Sequence, residues 1–215
     1  MILYRNTIII AGLLIITFGI AVAKAENSVY FKAPLSFAGT GCPASSISVT
    51  GEESATLTVL FDSYDAADPP SEAVSELQRS SCNFAVPVHV PAGWQVSLMT
   101  ADWRGYAAGE AEFQREYFFA DQASGMKIVK TFDDPDGIDY TERDSLEPGD
   151  YTVCQPEDRD VVLRINSDIL AKSIDSYIAV DTGDMHNKVV FRLNSKTCRR
   201  EWLPIISLLL LQNSL

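Results

Sequence analysis

Cys82-Asn83-Phe84-Ala85-Val86-Pro87-Val88-His89-Val90 alternates apolar with small or polar residues without a break. Only an extended chain, whose successive side chains point to opposite faces, sorts them this way. Cys82, Phe84, Val86, Val88 and Val90 fall on one side; Asn83, Ala85, Pro87 and His89 fall on the other. The segment therefore reads as a strand with one face in a core. Pro87 has no N–H to give to a ladder, which places the strand at an edge or gives it a bulge.

The same period of two spreads outward from this stretch. From Thr56 to Asp62, Leu57, Val59 and Phe61 oppose Thr56, Thr58 and Asp62. Near the other end, Val189, Phe191 and Leu193 oppose Lys188, Arg192 and Asn194. Pro91-Ala92-Gly93 reads as a tight turn into a second long run, Trp94 to Tyr106, and the two runs read as a hairpin. Further strands are expected at 116–119, 126–132, 160–165 and 176–181. Residues 71–79 alone have room for a helical turn. Residues 133–150, acidic and rich in turn formers, are expected to be a solvated loop. Short strands punctuated by turns predict an all-β domain, an antiparallel β-sandwich or jelly roll.

Residues 1–25 have a basic start, an apolar stretch from Thr7 to Val22 and an Ala23-Lys24-Ala25 end. These are the parts of a cleavable export signal. A single β domain is then expected over 26–198. In the tail, 199–215, the apolar run 203–211 is too short to span a bilayer. It is expected to pack on the domain or stay unstructured. Membrane contact is expected only through an uncleaved leader or this tail. The whole chain has 17 basic and 29 acidic residues, and the leader holds Arg5, Lys24 and no acid. The remainder is therefore 15 minus 29, or −14. Such a charge disfavours nucleic acid and anionic lipid as partners.

The chain has four cysteines, Cys42, Cys82, Cys154 and Cys198. An even number in an exported chain implies disulfides, and no pair has the spacing of a zinc site or redox dithiol. Three pairings are open to the sequence. Cys42 with Cys82 and Cys154 with Cys198 is the pairing expected, each closing a loop of roughly 40 residues.

Several stretches in order are similar to a secreted family catalogued as domain of unknown function 4360. They are Gly39-Thr40-Gly41-Cys42-Pro43, Ile47-Ser48-Val49, Leu57 to Tyr64, Ser81-Cys82-Asn83, Pro91-Ala92-Gly93-Trp94-Gln95 and Trp103-Arg104-Gly105-Tyr106-Ala107. In the C-terminal half, Cys154, Leu163 to Ser167 and Cys198 continue the resemblance, which covers about residues 31 to 198. It implies export and a β-rich domain with these four cysteines, and it supplies no catalytic residues. Val153-Cys154-Gln155 stands where the family usually has Ser-Pro-Cys-Gly, and the tail beyond Cys198 is extra.

Chemistry has few footholds. No Gly-x-Ser-x-Gly elbow is present. Of the two histidines, His89 falls on the outer face of a strand and His186 in a turn. Both read as solvated. Asp133 to Asp139 places hard oxygen ligands around Gly137, but Phe132 and Arg143 stand where an EF-hand would need its first and last ligands. No cofactor is expected, with an irregular calcium loop the alternative.

Asp102-Trp103-Arg104-Gly105-Tyr106 is the most suggestive segment, and it has two readings. Strict alternation from Trp94, Val96 and Leu98 leaves Trp103 outside, as a ring platform flanked by Asp102, Arg104 and Tyr106 for a sugar or peptide. A bulge near Thr100 or Ala101 instead sends Trp103 into the core and turns Asp102, Arg104 and Tyr106 outward. These four residues are the candidate ligand site. The expected function is non-catalytic binding of a polysaccharide or protein, outside the cell or on its surface. A secreted hydrolase working through carboxylates, or a purely structural protein, is the alternative.

Overall fold

The computed structural model describes residues 28–69, 75, 77–122, 125–146, 151–180 and 188–198. The leader, the tail, His186 and most of 71–79 lie outside the described residues. Eleven strands follow in order: β1 (Tyr30–Phe31), β2 (Ser36–Ala38), β3 (Ile47–Thr50), β4 (Thr56–Phe61), β5 (Tyr64–Asp68), β6 (Arg79–Val90), β7 (Trp94–Phe119), β8 (Met126–Ser145), β9 (Arg159–Ala171), β10 (Ser176–Val180) and β11 (Val189–Thr197). Every pairing is antiparallel.

The long strand β7 organises the molecule. On one edge it pairs with β11 through its first third, β10 at its middle and β9 through its last third; β8 runs along the other edge. A straight strand would separate Trp103 from Phe113 by about 33 Å. Their ring centroids lie 5.1 Å apart. The β7–β8 hairpin is therefore doubled over. The fold lies at the register shift between Ala107 and Gly109, with Gly109 (φ 67°) on β7 and Gly137 (φ 80°) on β8 in the left-handed region that glycine tolerates. One layer runs β1/β2, β6, β9 and the far half of β7; the other runs β3, β4, β11 and the near half, with β10 and β5 at the corner. The result is an antiparallel β-sandwich whose layers share a strand.

Aromatic rings fill the space between the layers. Phe84 on β6 meets Phe61 and Phe191 of the opposite layer at 5.7 and 6.0 Å, and Trp103 at 6.3 Å. Burying each such side chain stabilises by about 1.5–3 kcal/mol. All five residues predicted to face inward on β6 are buried. Pro87 lies next to the short strands. Its carbonyl accepts from Lys32 N–H (2.8 Å), so its donor-less nitrogen faces that side too, where β1 has ended and β2 has not begun.

The expected disulfides are present, Cys42–Cys82 and Cys154–Cys198, with Cα separations of 5.4 and 6.0 Å. Two expectations are corrected. Pro91–Gly93 is a tight turn, yet β6 and β7 do not pair across it: β6 pairs with β9, and the turn carries the chain from one layer to the other. The stretch predicted as a loop from Asp133 belongs to β8 as far as Ser145, because pairing with β7 outweighs the turn preference of Asp-Pro-Asp-Gly, which is spent on the bulge.

Candidate functional site

A bulge decides the Trp103 segment. Arg192 pairs with Thr100 and Leu193 with Leu98, leaving Met99 as the extra residue, 42% exposed. Beyond it Ala101, Trp103 and Ala107 are fully buried, and Asp102, Arg104 and Tyr106 take the outer face. Trp103 is thus a core ring and cannot offer a platform to a ligand. Its indole N–H donates to Tyr117 Oη (2.5 Å), and Tyr117 Oη donates to Asp144 Oδ2 (2.5 Å). Arg115 closes the network, donating from Nε and Nη2 to the two Asp144 oxygens at 2.8 and 2.7 Å while lying over the Phe113 ring. Burial works against the Arg115 charge, but Asp144 more than compensates and raises its pKa. Burial also pushes the Tyr117 and Tyr140 hydroxyls well up, so both are neutral donors.

Gly105 makes room for one of these rings. A Cβ there would sit 2.5 Å from Tyr140 Oη, which donates to the Ala179 carbonyl at 2.9 Å. Gly41 does the same for Tyr64: a Cβ would enter its ring at 2.0 Å. Tyr64 Oη donates to Ser167, which donates to the Cys82 carbonyl. The Gly39–Pro43 motif is accordingly a clasp on the start of β6, tied by the Cys42–Cys82 bond and by Ser81 N–H donating to Thr40 Oγ1.

What the segment gives to solvent lies outside. Asp102, Val190 and Arg143 share one row across β7, β11 and β8. Arg143 Nε donates to Asp102 Oδ1 at 2.6 Å, and Arg192 Nη1 donates to Oδ2. Burial alone would raise the Asp102 carboxyl; the two arginines more than reverse this and hold it below the usual carboxylate range. Further along the same face, Tyr106 lies across the β8 bulge, where a Cβ on Gly137 would be 1.7 Å from its hydroxyl. Tyr177 of β10 stands beside it, ring centroids 6.2 Å apart. Burial and the Asp65 charge raise the Tyr177 pKa, so this hydroxyl too stays protonated. Asp139 faces Tyr106 across the ladder, near an open hollow of about 370 Å³ lined by Lys130, Phe132, Asp134 and Glu142.

Tyr177 and the two arginines were not among the residues singled out from the sequence, although Arg192 was placed on the outer phase of β11. His89 hydrogen-bonds Asp160 (3.2 Å), whose other oxygen takes Lys32, and its ring packs on Tyr30. Asp133 to Asp139 spread along β8 and its bulge, and among the described residues no three His, Cys, Asp or Glu side chains converge as a metal site.

Residues 33–198 match a family model described as domain of unknown function (DUF4360). The chain belongs to this family. It is also 30% identical over 146 residues to an uncharacterized secreted protein of Arthroderma benhamiae, a match covering 66% of this chain and 59% of that protein's length. In keeping with that relative and with two disulfides, this DUF4360 protein is secreted or at the cell surface. Among solved structures, TmCBM61 in complex with β-1,4-galactotriose aligns over 76% of this chain and 90% of its own, at 10% identity and a TM-score of 0.30, too low to establish a shared fold.

Proposed function

We propose that this is a non-catalytic extracellular binding protein that holds a polysaccharide on the outer face formed by β7, β8, β10 and β11. The observation that supports it is the pairing of Tyr106 with Tyr177, 6.2 Å apart and part-exposed, on the same strand face as Arg104 and the Asp102 cluster. Aromatic faces supply apolar contact for the C–H face of a sugar, and nearby polar groups orient its hydroxyls. The groups stand on paired strands, so little ordering is required on binding.

The test is a glycan and cell-wall polysaccharide screen on the oxidised protein, with calcium and with EDTA. Tyr106→Ala/Tyr177→Ala should lose roughly 10- to 100-fold in affinity, at about 1 kcal/mol per ring, with the unfolding temperature kept. Binding that ignores both tyrosines, vanishes in EDTA, or is absent for every glycan overturns the reading; in the last case a protein partner becomes the better one.

A further inference from the structure

Among the described residues, the outer face that begins at Tyr106 becomes cationic as it runs along β7 and β11. Arg104 stands two residues from Tyr106, on the same face. Arg143 and Arg192 flank Asp102. Beyond them, Lys196 lies 3.5 Å from the Tyr151 ring centroid, and Asn194 donates to the Tyr151 hydroxyl, which puts both on this face. Four cations and the Asp102 carboxylate therefore lie along this stretch of the face, in a chain with 17 basic and 29 acidic residues. The neighbouring acids on β8, Glu142 and Asp144, stand opposite Trp103 and Ala101 and so take the inward phase. Asp139 and Asp65 lie at the far, tyrosine end, opposite Tyr106 and Ala179.

The arginines are held for use. Asp102, only 6% exposed, fixes Arg143 through Nε and Nη2 and Arg192 through Nη1, yet the Arg143 side chain is 65% exposed and that of Arg192 37%. A guanidinium has five N–H donors, more than Asp102 takes from either arginine, and these part-exposed groups suit a carboxylate. Thr56 and Thr58 of β4, paired to Arg192 and Val190, add hydroxyls beside them.

We infer that the polysaccharide is acidic: a uronate-bearing chain whose sugar faces lie on Tyr106 and Tyr177 and whose carboxylates are taken by Arg104, Arg143, Arg192 and Lys196. This rests on the proposed glycan-binding face and adds the charge of its ligand. The net negative charge of the protein does not forbid it, since charges farther away than the Debye length of about 8 Å are screened at physiological ionic strength.

The probes are galacturonate oligomers and uncharged galactose oligomers of matched length, titrated calorimetrically at 0.15 and 0.5 M NaCl. The uronate should bind at least about tenfold tighter, and lose several-fold at the higher salt. Arg104→Gln/Lys196→Gln, which keeps Arg143 and Arg192, should cut that advantage by at least about threefold and weaken the neutral oligomer by a smaller factor. Equal binding of both oligomers through Tyr106 and Tyr177 overturns the charge assignment and leaves the glycan face standing. A uronate advantage undiminished in the double glutamine variant overturns the assignment too. Failure of both oligomers and every glycan on the screen removes the face itself.

Discussion

Replacing Arg115 by Met should be among the costliest single changes in this protein. The guanidinium is 1% exposed and the Asp144 carboxylate 3%, joined by two short hydrogen bonds across the doubled hairpin. Methionine fills much of the arginine's volume, so packing survives, but among the described residues the buried Asp144 side chain keeps only the Tyr117 hydroxyl. Stranding one member of a buried pair costs about 3–5 kcal/mol. For a domain of this size that lowers Tm by roughly 10 °C. Asp144→Leu alone strands the arginine and takes the acceptor from Tyr117. The double variant Arg115→Met/Asp144→Leu removes both charges and leaves only Tyr117 short of an acceptor, a cost of about 1–3 kcal/mol. Urea unfolding with the disulfides intact, followed by tryptophan fluorescence, gives all three values. The double variant should lose less than the sum of the singles by at least about 2 kcal/mol. Singles within about 1 kcal/mol of the parent, or strict additivity, would refute the idea that this pair holds the two halves of β7 together.

Two further outcomes follow from the outer face. The depressed Asp102 pKa contributes stability that is present above the unfolded carboxyl value of about 3.9 and is lost as pH falls through the lower folded one. Asp102→Asn should therefore cost about 1 kcal/mol at pH 7 after allowance for the exposed partners, and the gap between its urea midpoint and that of the parent should narrow as pH falls below the unfolded carboxyl value of about 3.9; a gap of constant size across that fall contradicts the assignment. Gly137→Ala asks a φ of 80° of a side chain and puts its Cβ 1.7 Å from the Tyr106 hydroxyl. It should cost about 1–3 kcal/mol and weaken glycan binding with both tyrosines still in place, as titration against a bound glycan would show; unchanged affinity would mean that the pose of Tyr106 is irrelevant.

Period-two alternation was enough to place the faces of β4, β6 and β11, and burial logic at Trp103 located the bulge to within a residue or two. Partner choice was not legible. Pro91-Ala92-Gly93 announces a turn, but a turn does not say whether the chain returns beside itself or crosses to another layer. Asp-Asp-Pro-Asp-Gly likewise announces a bend without saying that a strand continues through it. The buried network was hidden by its charges, since Arg115 and Asp144 look like surface residues. The clue was phase: Ala111, Phe113, Arg115, Tyr117 and Phe119 share one face of β7, and the arginine sits in the middle of it. Tyr177 had no such signal, because its value lies in standing next to Tyr106, a neighbour set by the β10–β7 pairing.

The pairing of β6 with β9 has a consequence for how this protein comes into being. A chain exported N-terminus first delivers β6, ending at Val90, long before β9, which begins at Arg159. Until then β6 has only the two short strands β1 and β2 beside it, and β4 has only β3. The Cys42–Cys82 bond joins two residues that both emerge early, whereas the sheet that buries it waits on late arrivals. Such long-range pairing is slow to form and leaves apolar edges bare in the meantime. A chain truncated before Arg159 would thus lack the strand that covers one edge of β6 from Arg79 to Val90.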